Sequence, residues 1–583
     1  MIASVSFIQK KGRITMSLTR RAFLQGSAWG VAGALGAFGF VGCAPVTPSE
    51  NSANASSPTA EQEQNDIDLT DAEEANYDLV VIGSGASGMC AAIEASQAGA
   101  KVLILEKTET FGGLSNYSRR ICATETDDQK KLGITVSTDT AIKYLIQHSG
   151  YSANGPMVRK IVESSGPTIA WLQENGAPCT PAFGNINATI EDWQGVGSYD
   201  LGEDKMKGMQ AVFENLGGTL MLKTPAVKIL TDDNGAVCGV AAQKEDGRHL
   251  KVTSKGVILA AGSYTAGIES FKEITDTPFV VQEAPVVNEG DGIRMGVELG
   301  STIWCPVPAY HRTIITNFEG DSPSDHALTP LGDEPNFTLF HKSPLVAWVN
   351  REGIRFANEM AVGSNINWAE APLSQGGVYF ELFDQAQVDD YVKNGTPVPT
   401  IQGAPNDFYH QGIWDERTDY PLNIVGLKSG PAPDLQKALD DAANSGQICK
   451  AETIADLANA MGADPETLQA TIDTYNEFVS EKNDKEFFKD AEYLVYPIAT
   501  APFYCIRAQT NVEGGLAGGT FVNENFQLLN AETGHPIPNV YAVGANAGGM
   551  YGTNTYPEWL GLTLGFAINS GRIAAQHFAE KLL

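Results

Sequence analysis

At 583 residues the chain is longer than a single hydrophobic core usually organises, so two domains are the natural expectation. A formal charge of −31, with no Lys/Arg block past residue 21, excludes a nucleic-acid partner, because a polyanion would be repelled over most of the surface. Hydrophobic residues at 43% and 60 glycines suit a globular α/β protein with many tight turns, and the eight cysteines include no C-x-x-C pair. Zinc-ribbon, iron–sulfur and c-type haem readings therefore lack their ligand spacing, and no metal site is expected.

In chain order, Thr19-Arg20-Arg21-Ala22-Phe23-Leu24 precedes an apolar, small-residue run from Ala28 to Val41 that ends at Gly42-Cys43. Residues 1–45 read as a twin-arginine export signal, with Met16 as a plausible true start. The apolar run is about 14 residues, short of the roughly 20 that a spanning helix needs. Cys43 resembles a lipoprotein acylation cysteine and is a candidate lipid anchor, although Phe40 stands where Leu is usual. Residues 46–76 hold eight acidic residues and no Lys or Arg, which predicts a disordered, flexible linker.

Tyr77 to Ile82 is a short apolar run of the buried parallel-strand type, and it leads into Gly83-Ser84-Gly85-Ala86-Ser87-Gly88. A small-residue helix follows over Met89 to Ala98, then a stop at Gly99, then a second strand over Lys101 to Leu105. This β-α-β frame brings backbone close to a pyrophosphate whose charge rests on a helix N-terminus. Glu106, at the end of the second strand, is placed to accept hydrogen bonds from a ribose hydroxyl and disfavours a 2′-phosphate. Gly83, Gly85, Ser87 and Gly88 are thus the first candidate cofactor residues.

The next segment, Glu106-Lys107 through Gly112-Gly113-Leu114-Ser115, resembles the flavoprotein family of fumarate reductases and 3-ketosteroid dehydrogenases. More of that pattern recurs in order: Gly256 to Gly262, Glu289-Gly290-Asp291-Gly292, and Val540-Tyr541-Ala542-Val543-Gly544, so the resemblance spans roughly residues 77–583. It implies non-covalent FAD, with Lys107, Gly112, Gly113, Ser115, Val227, Ala261, Gly262, Asp291, Gly544 and Ala545 added to the cofactor set. It also implies a discontinuous, Rossmann-like α/β FAD-binding domain, residues 77–305 and 511–583, with an α+β capping domain, residues 306–510, inserted between. Within the cap, Ala451 to Val479 looks helical, and Asp464-Pro465-Glu466 reads as a helix start.

Val349 to Glu359 resembles the family's G-x-R-F-x-N-E signature, which would make Arg355 the arginine that protonates substrate. A guanidinium releases its proton only transiently, so that role needs a relay; His341, Lys342 and Glu359 are near in sequence. Tyr310-His311-Arg312-Thr313 resembles the family's H-P-T segment with Pro replaced, implying that His311 or Arg312 polarises the carbonyl conjugated to the reacting bond. Two departures are informative. Asn511 stands where fumarate reductases have a substrate-binding His, and Glu558 or Trp559, depending on a one-residue gap, replaces the carboxylate-clamping Arg. A dicarboxylate needs paired cationic donors at both ends. Asn554-Thr555-Tyr556-Pro557 instead resembles the ketosteroid dehydrogenases, so Tyr556, with Tyr551, joins the candidate catalytic residues.

The expected function is reduction of an activated C=C bond in a bulky or aromatic enoate or enone, with hydride from flavin N5 and a proton from Arg355 or a Tyr. Export separates the enzyme from cytoplasmic NADH, so electrons are expected from a membrane quinol system through a cytochrome or flavoprotein partner. The alternatives are a ketosteroid-type dehydrogenase, a fumarate reductase-like flavoprotein acting on a small carboxylate, and a flavoprotein electron carrier without its own substrate.

Overall fold

The computed structural model describes residues 3–8, 13–18, 67–131, 137–182, 198–264, 281–282, 288–304, 310–318, 337–341, 343–363, 365–395, 431–512, 518–553, 557, 559 and 561–583. The chain divides into two units, residues 1–66 and 67–583. In the first, the backbone of Ala3–Ile8 pairs antiparallel with Arg13–Leu18. The twin-arginine run and Cys43 lie outside the described residues, as does the expected linker up to Asp66.

The second unit begins inside that expected linker. Glu73–Asn76 is a strand, not a coil, because it has a partner: it runs parallel to His249–Thr253, and its Glu73 and Glu74 meet Lys244 and Lys251 at 2.6 and 3.2 Å. Composition predicted disorder there because it is blind to a distant strand with complementary charge. Next come β1 (Leu79–Ile82), α1 (Ala86–Gln97) and β2 (Val102–Leu105), then α2 (Lys205–Asn215), β3 (Thr219–Met221) and β4 (Gly256–Leu259). β1 and β2 are buried on every residue, the all-apolar pattern of a sheet covered on both faces.

The cap follows, with β5 (Tyr310–Ile315), β6 (Ala347–Val349), β7 (Val378–Asp384), β8 (Ile448–Ala451), α3 (Ile454–Met461), α4 (Pro465–Glu481) and β9 (Phe503–Val512). The expected helix start at Asp464 is there: its carboxylate accepts from Thr467 N at 2.9 Å, with Pro465 in the first turn. The continuous helical run does not form, because Gly462 closes α3 in the left-handed region at φ 76°. β9 is the hub of the cap sheet, pairing with β5, β7, β8 and the short strand Val281–Gln282. The cap sheet thus draws on residues before 306 and runs past 510, the boundaries the sequence suggested. Its core stacks Phe340 on Phe383 at 3.7 Å and Phe383 on Tyr504 at 5.2 Å.

The chain then returns as β10 (Gln527–Leu529), β11 (Pro536–Ala542) and α5 (Leu562–Leu582). The main sheet has the order β10-β11-β4-β1-β2-β3, parallel except for β10. Residues 79–82, 256–259 and 536–542 are adjacent strands, which is what makes this domain discontinuous in sequence. α5 packs along α1, where Gly571 comes so close to the Ser87 carbonyl that a side chain would not fit.

Candidate active site

The glycine loop sits at the C-terminal edge of β1, the edge at which open parallel sheets bind ligands. Gly83 has φ 104° and packs against the Ala260 carbonyl, and at Gly88 a side chain would strike the Gly83 oxygen. Both therefore need hydrogen in place of Cβ. Glu106 orders the loop: Oε2 accepts from Ser84 N and Oγ at 3.1 and 2.6 Å, and Oε1 from Thr108 N and Oγ1, both at 2.9 Å. Ser84 Oγ in turn accepts from Gly112 N, and Ser115 Oγ accepts from Ala86 N at the start of α1. Gly83, Gly85, Ser87, Gly88, Glu106, Gly112, Gly113 and Ser115 thus form one site.

Three chain segments complete it. Lys107 Nζ meets Asp291 at 2.7 Å and Glu289 at 3.1 Å; burial works to lower its pKa, but the two carboxylates outweigh it and hold the ammonium above its ordinary value. Thr224 N donates to the Glu106 carbonyl at 2.8 Å, which sets half-buried Val227 just beyond the second strand. Gly544, at φ 57°, lies against Ser87 and donates to Ser570 Oγ, with Ala545 half-buried beside it. The sequence reading missed Asn546. Its fully buried amide accepts from Ala261 N at 2.8 Å and donates to Gly262 O at 2.6 Å, tying the late strand's end to the C-terminal turn. A polar residue two places after Gly544, within an apolar run, was the available signal.

In the cap, Tyr310 pairs with Val512 and Thr313 with Thr510, so His311 and Arg312 on β5 stand against the single residue Asn511 on β9. This is a β-bulge, a device common beside active sites because it re-aims side chains and breaks the ladder. In the backbone register the bulge thus sets residues 311 and 312 opposite Asn511. Further along β5 is a buried polar network. His341 Nδ1 lies 2.9 Å from Glu381 Oε1 and its Nε2 3.1 Å from the Thr313 carbonyl; Tyr379 donates to the same Glu381 oxygen at 2.7 Å and shares a hydrogen with Thr313 Oγ1 at 2.9 Å. Trp368 Nε1 donates to Tyr379.

Burial pushes the Glu381 carboxyl above the usual range, against the pull of His341 and Tyr379, and its Oε2 makes no hydrogen bond among the described residues. A carboxyl raised on folding contributes stability below its unfolded pKa, near 4.5, and loses it as pH rises through the folded value. Glu381→Gln keeps the shape without the titration, so its melting temperature relative to wild type is expected to be higher at pH 8 than at pH 5. A pH-independent difference in thermal melts would refute this.

Arg355 is in different surroundings from those the signature implied. Its Nε and Nη2 each donate to Glu359 at 2.8 Å, Nη2 also reaches Asp484 at 2.7 Å, and Lys489 lies 3.3 Å from Glu359. All four side chains are almost completely buried, and the guanidinium lies over the Tyr475 and Phe487 rings at 5.6 and 5.0 Å. Burial alone would loosen the Arg355 proton, but the two carboxylates prevail and raise its pKa further. The guanidinium is thus tied to carboxylates of the cap itself, joining the segments around residues 355–359 and 484–489.

Tyr551 is half-buried with its ring edge-on to Phe566 at 5.8 Å. Its loop is fastened to residues 152–154: Asn154 N donates to Gly549 O, and Thr553 N to Ser152 Oγ, both at 2.8 Å. Trp559 is buried in the core of the FAD-side domain. Tyr556 and Glu558 lie outside the described residues.

The family described as "FAD binding domain" matches residues 78–557. This chain belongs to that family. Among its relatives, vinyl phenol reductase of Lactiplantibacillus plantarum is 30% identical over 88% of this chain and 98% of its own length. Among solved structures, 3-ketosteroid delta1-dehydrogenase from Sterolibacterium denitrificans superposes with TM-score 0.65 at 19% identity, covering 87% of this chain and 99% of that one. The open conformation of a flavocytochrome c3 fumarate reductase does so with TM-score 0.62 at 20% identity, covering 88% and 80%. These two structures share the fold. The protein is an FAD-dependent oxidoreductase acting on CH–CH groups, and the glycine loop, Glu106 and the Gly544 turn are the residues that fit the cofactor.

Proposed function

We propose that this enzyme reduces the activated carbon–carbon double bond of a bulky, aromatic or polycyclic enone or enoate, not of a dicarboxylate. One observation carries the reading: Asn511, opposite the β-bulge at His311 and Arg312, is neutral and fully buried, and it stands where the resemblance to fumarate reductases implies a substrate-binding His, whereas a dicarboxylate needs cationic donors at both ends. The name of the vinyl phenol reductase relative, of nearly the same length, supports an aromatic substrate.

FAD, when bound, supplies the hydride at flavin N5. The cap's task is to hold the alkene with its β-carbon toward the flavin. His311 or Arg312 polarises the conjugated carbonyl from the bulge, and water is kept out by the apolar cap. The α-carbon takes its proton from a tyrosine, Tyr551 or Tyr556, because Arg355 is committed to Glu359 and Asp484. Two electrons per turnover come from a separate membrane-linked donor, a cytochrome or flavoprotein fed by quinol, with export by the twin-arginine route and Cys43 as a candidate anchor.

The test is an anaerobic assay with reduced viologen across fumarate, urocanate, cinnamates, vinyl phenols, stilbenes and steroid enones. Reoxidation with an aromatic or polycyclic alkene, but not with fumarate, is expected. Turnover of fumarate alone would remove the argument from Asn511, and dye reduction by the saturated compounds with no alkene reduction would reverse the proposed direction.

A further inference from the structure

Lys205 stands out among the buried cations. The side chains of Arg355 and Lys489 are spent on Glu359 and Asp484, whereas Lys205 Nζ, on a residue only 1% exposed, has no hydrogen-bond partner among the described residues. The nearest acids are engaged elsewhere. Asp200 is held by Arg120 at 3.0 Å and by Arg119 at 3.5 Å, and Arg119 also reaches the exposed Glu203 at 3.3 Å. Burial, reinforced by the Arg119 charge, pulls the Lys205 pKa down, and Asp200 and Glu203 do not make up the difference. An ammonium with no hydrogen-bond partner among the described residues is costly to a fold in such a place, and lysine is almost never fully buried unless paired.

Its position gives that charge a use. α2 leads directly into β3, which runs parallel to β2 and β1, so α2 runs antiparallel to the strands and begins at their C-terminal edge. α1 occupies the same relation to β1 and β2, and the two helices pack side by side, with Cys90 Sγ 3.8 Å from Met209 Sδ. One turn back along each helix are Ala86, whose N–H belongs to the glycine loop, and Lys205. α2 also touches the turn Gly113–Asn116, which carries Ser115. The lysine is therefore at the level of the cofactor loop, inside the protein.

We infer that Lys205 is a cofactor-binding residue whose ammonium pairs with an anionic oxygen of FAD, of the pyrophosphate or of the reduced flavin at N1–C2=O2. This rests on the FAD assignment and not on the proposed substrate.

The experiment uses wild-type enzyme, Lys205→Met and Lys205→Gln, stripped of flavin and titrated with FAD by fluorescence quenching, with melting curves of the apo forms and the flavin midpoint potential of the reloaded forms. In both variants the apo form is expected to melt no lower than wild type, since an unpaired buried charge is gone. A pyrophosphate partner weakens oxidised FAD by about 10- to 100-fold and ADP in parallel; a flavin partner leaves ADP unaffected and lowers the midpoint potential. Unchanged FAD affinity together with unchanged potential overturns the inference, and so does apo destabilisation of both variants, which would mark Lys205 as a packing residue. Failure of the wild-type apoenzyme to take up FAD would instead strike the cofactor assignment.

Discussion

Alanine at Glu359 is expected to lower the stability of the protein by about 3–5 kcal/mol, the range for removing one partner of a buried ion pair. The wild-type cluster balances two cations, Arg355 and Lys489, against two anions, Glu359 and Asp484. Without Glu359 the two cations share Asp484 alone, and Trp348 N, which donates to Glu359 at 3.1 Å, loses its acceptor. Urea unfolding at pH 7 measures the change, and a loss under 1 kcal/mol would show that the site is hydrated instead of sealed.

The pH dependence follows from the same geometry. Burial opposes ionisation of Asp484, but Arg355 and the Phe487 and Lys489 N–H groups overcome it and bring the pKa from 3.8 to about 2. A carboxylate lowered in this way contributes stability above its unfolded pKa and loses it as pH falls through the folded value. The cluster should therefore fail between pH 3.8 and about 2 in the wild type, and the acid dependence of Asp484→Asn should be shallower there.

Valine at Gly83 is expected to remove FAD binding. The residue has φ 104°, a conformation that costs a β-branched side chain about 1–3 kcal/mol, and Cβ would be driven into the Ala260 carbonyl, adding about 1–3 kcal/mol of overpacking. Relief would require β1 and β4 to part at the edge where the cofactor lies. The sum corresponds to a loss of affinity of about 30-fold or more, read as protein purified without flavin absorbance and a raised Kd in FAD titration. Binding within a factor of about three of wild type would mean that the loop can shift without cost.

Much of the FAD side was legible because its signals are local. An all-apolar tetrapeptide, a glycine turn, small helix residues and a terminal acid follow within 30 residues, and each is fixed by backbone geometry and burial that neighbours in sequence supply. The cap was legible in outline only. Its sheet is organised by β9, whose partners come from four distant segments, and no local period encodes such pairing.

Arg355 illustrates the limit most sharply. Its motif is local, but its surroundings depend on Asp484, 129 residues away, and a sequence does not state which carboxylate will fold against a given arginine. The expected relay residues split in the same way: Glu359 joined the arginine, while His341 went to Glu381 and Tyr379. Glu73–Asn76 read as linker until its strand partner was in view.

By itself, then, the sequence determined the cofactor class and the β-α-β frame, and raised the expectations of export and of a substituted histidine at Asn511, all matters of residue type in short order. Tertiary structure alone decided that Arg355 pairs with Glu359 and Asp484, that a bulge sets His311 and Arg312 against Asn511, that Asn546 ties two strand ends together and that Lys205 Nζ is buried with no hydrogen-bond partner among the described residues. Each of these is set by which groups meet, or fail to meet, across long stretches of chain, and burial, which no residue carries in its own name, sets the strength of the result.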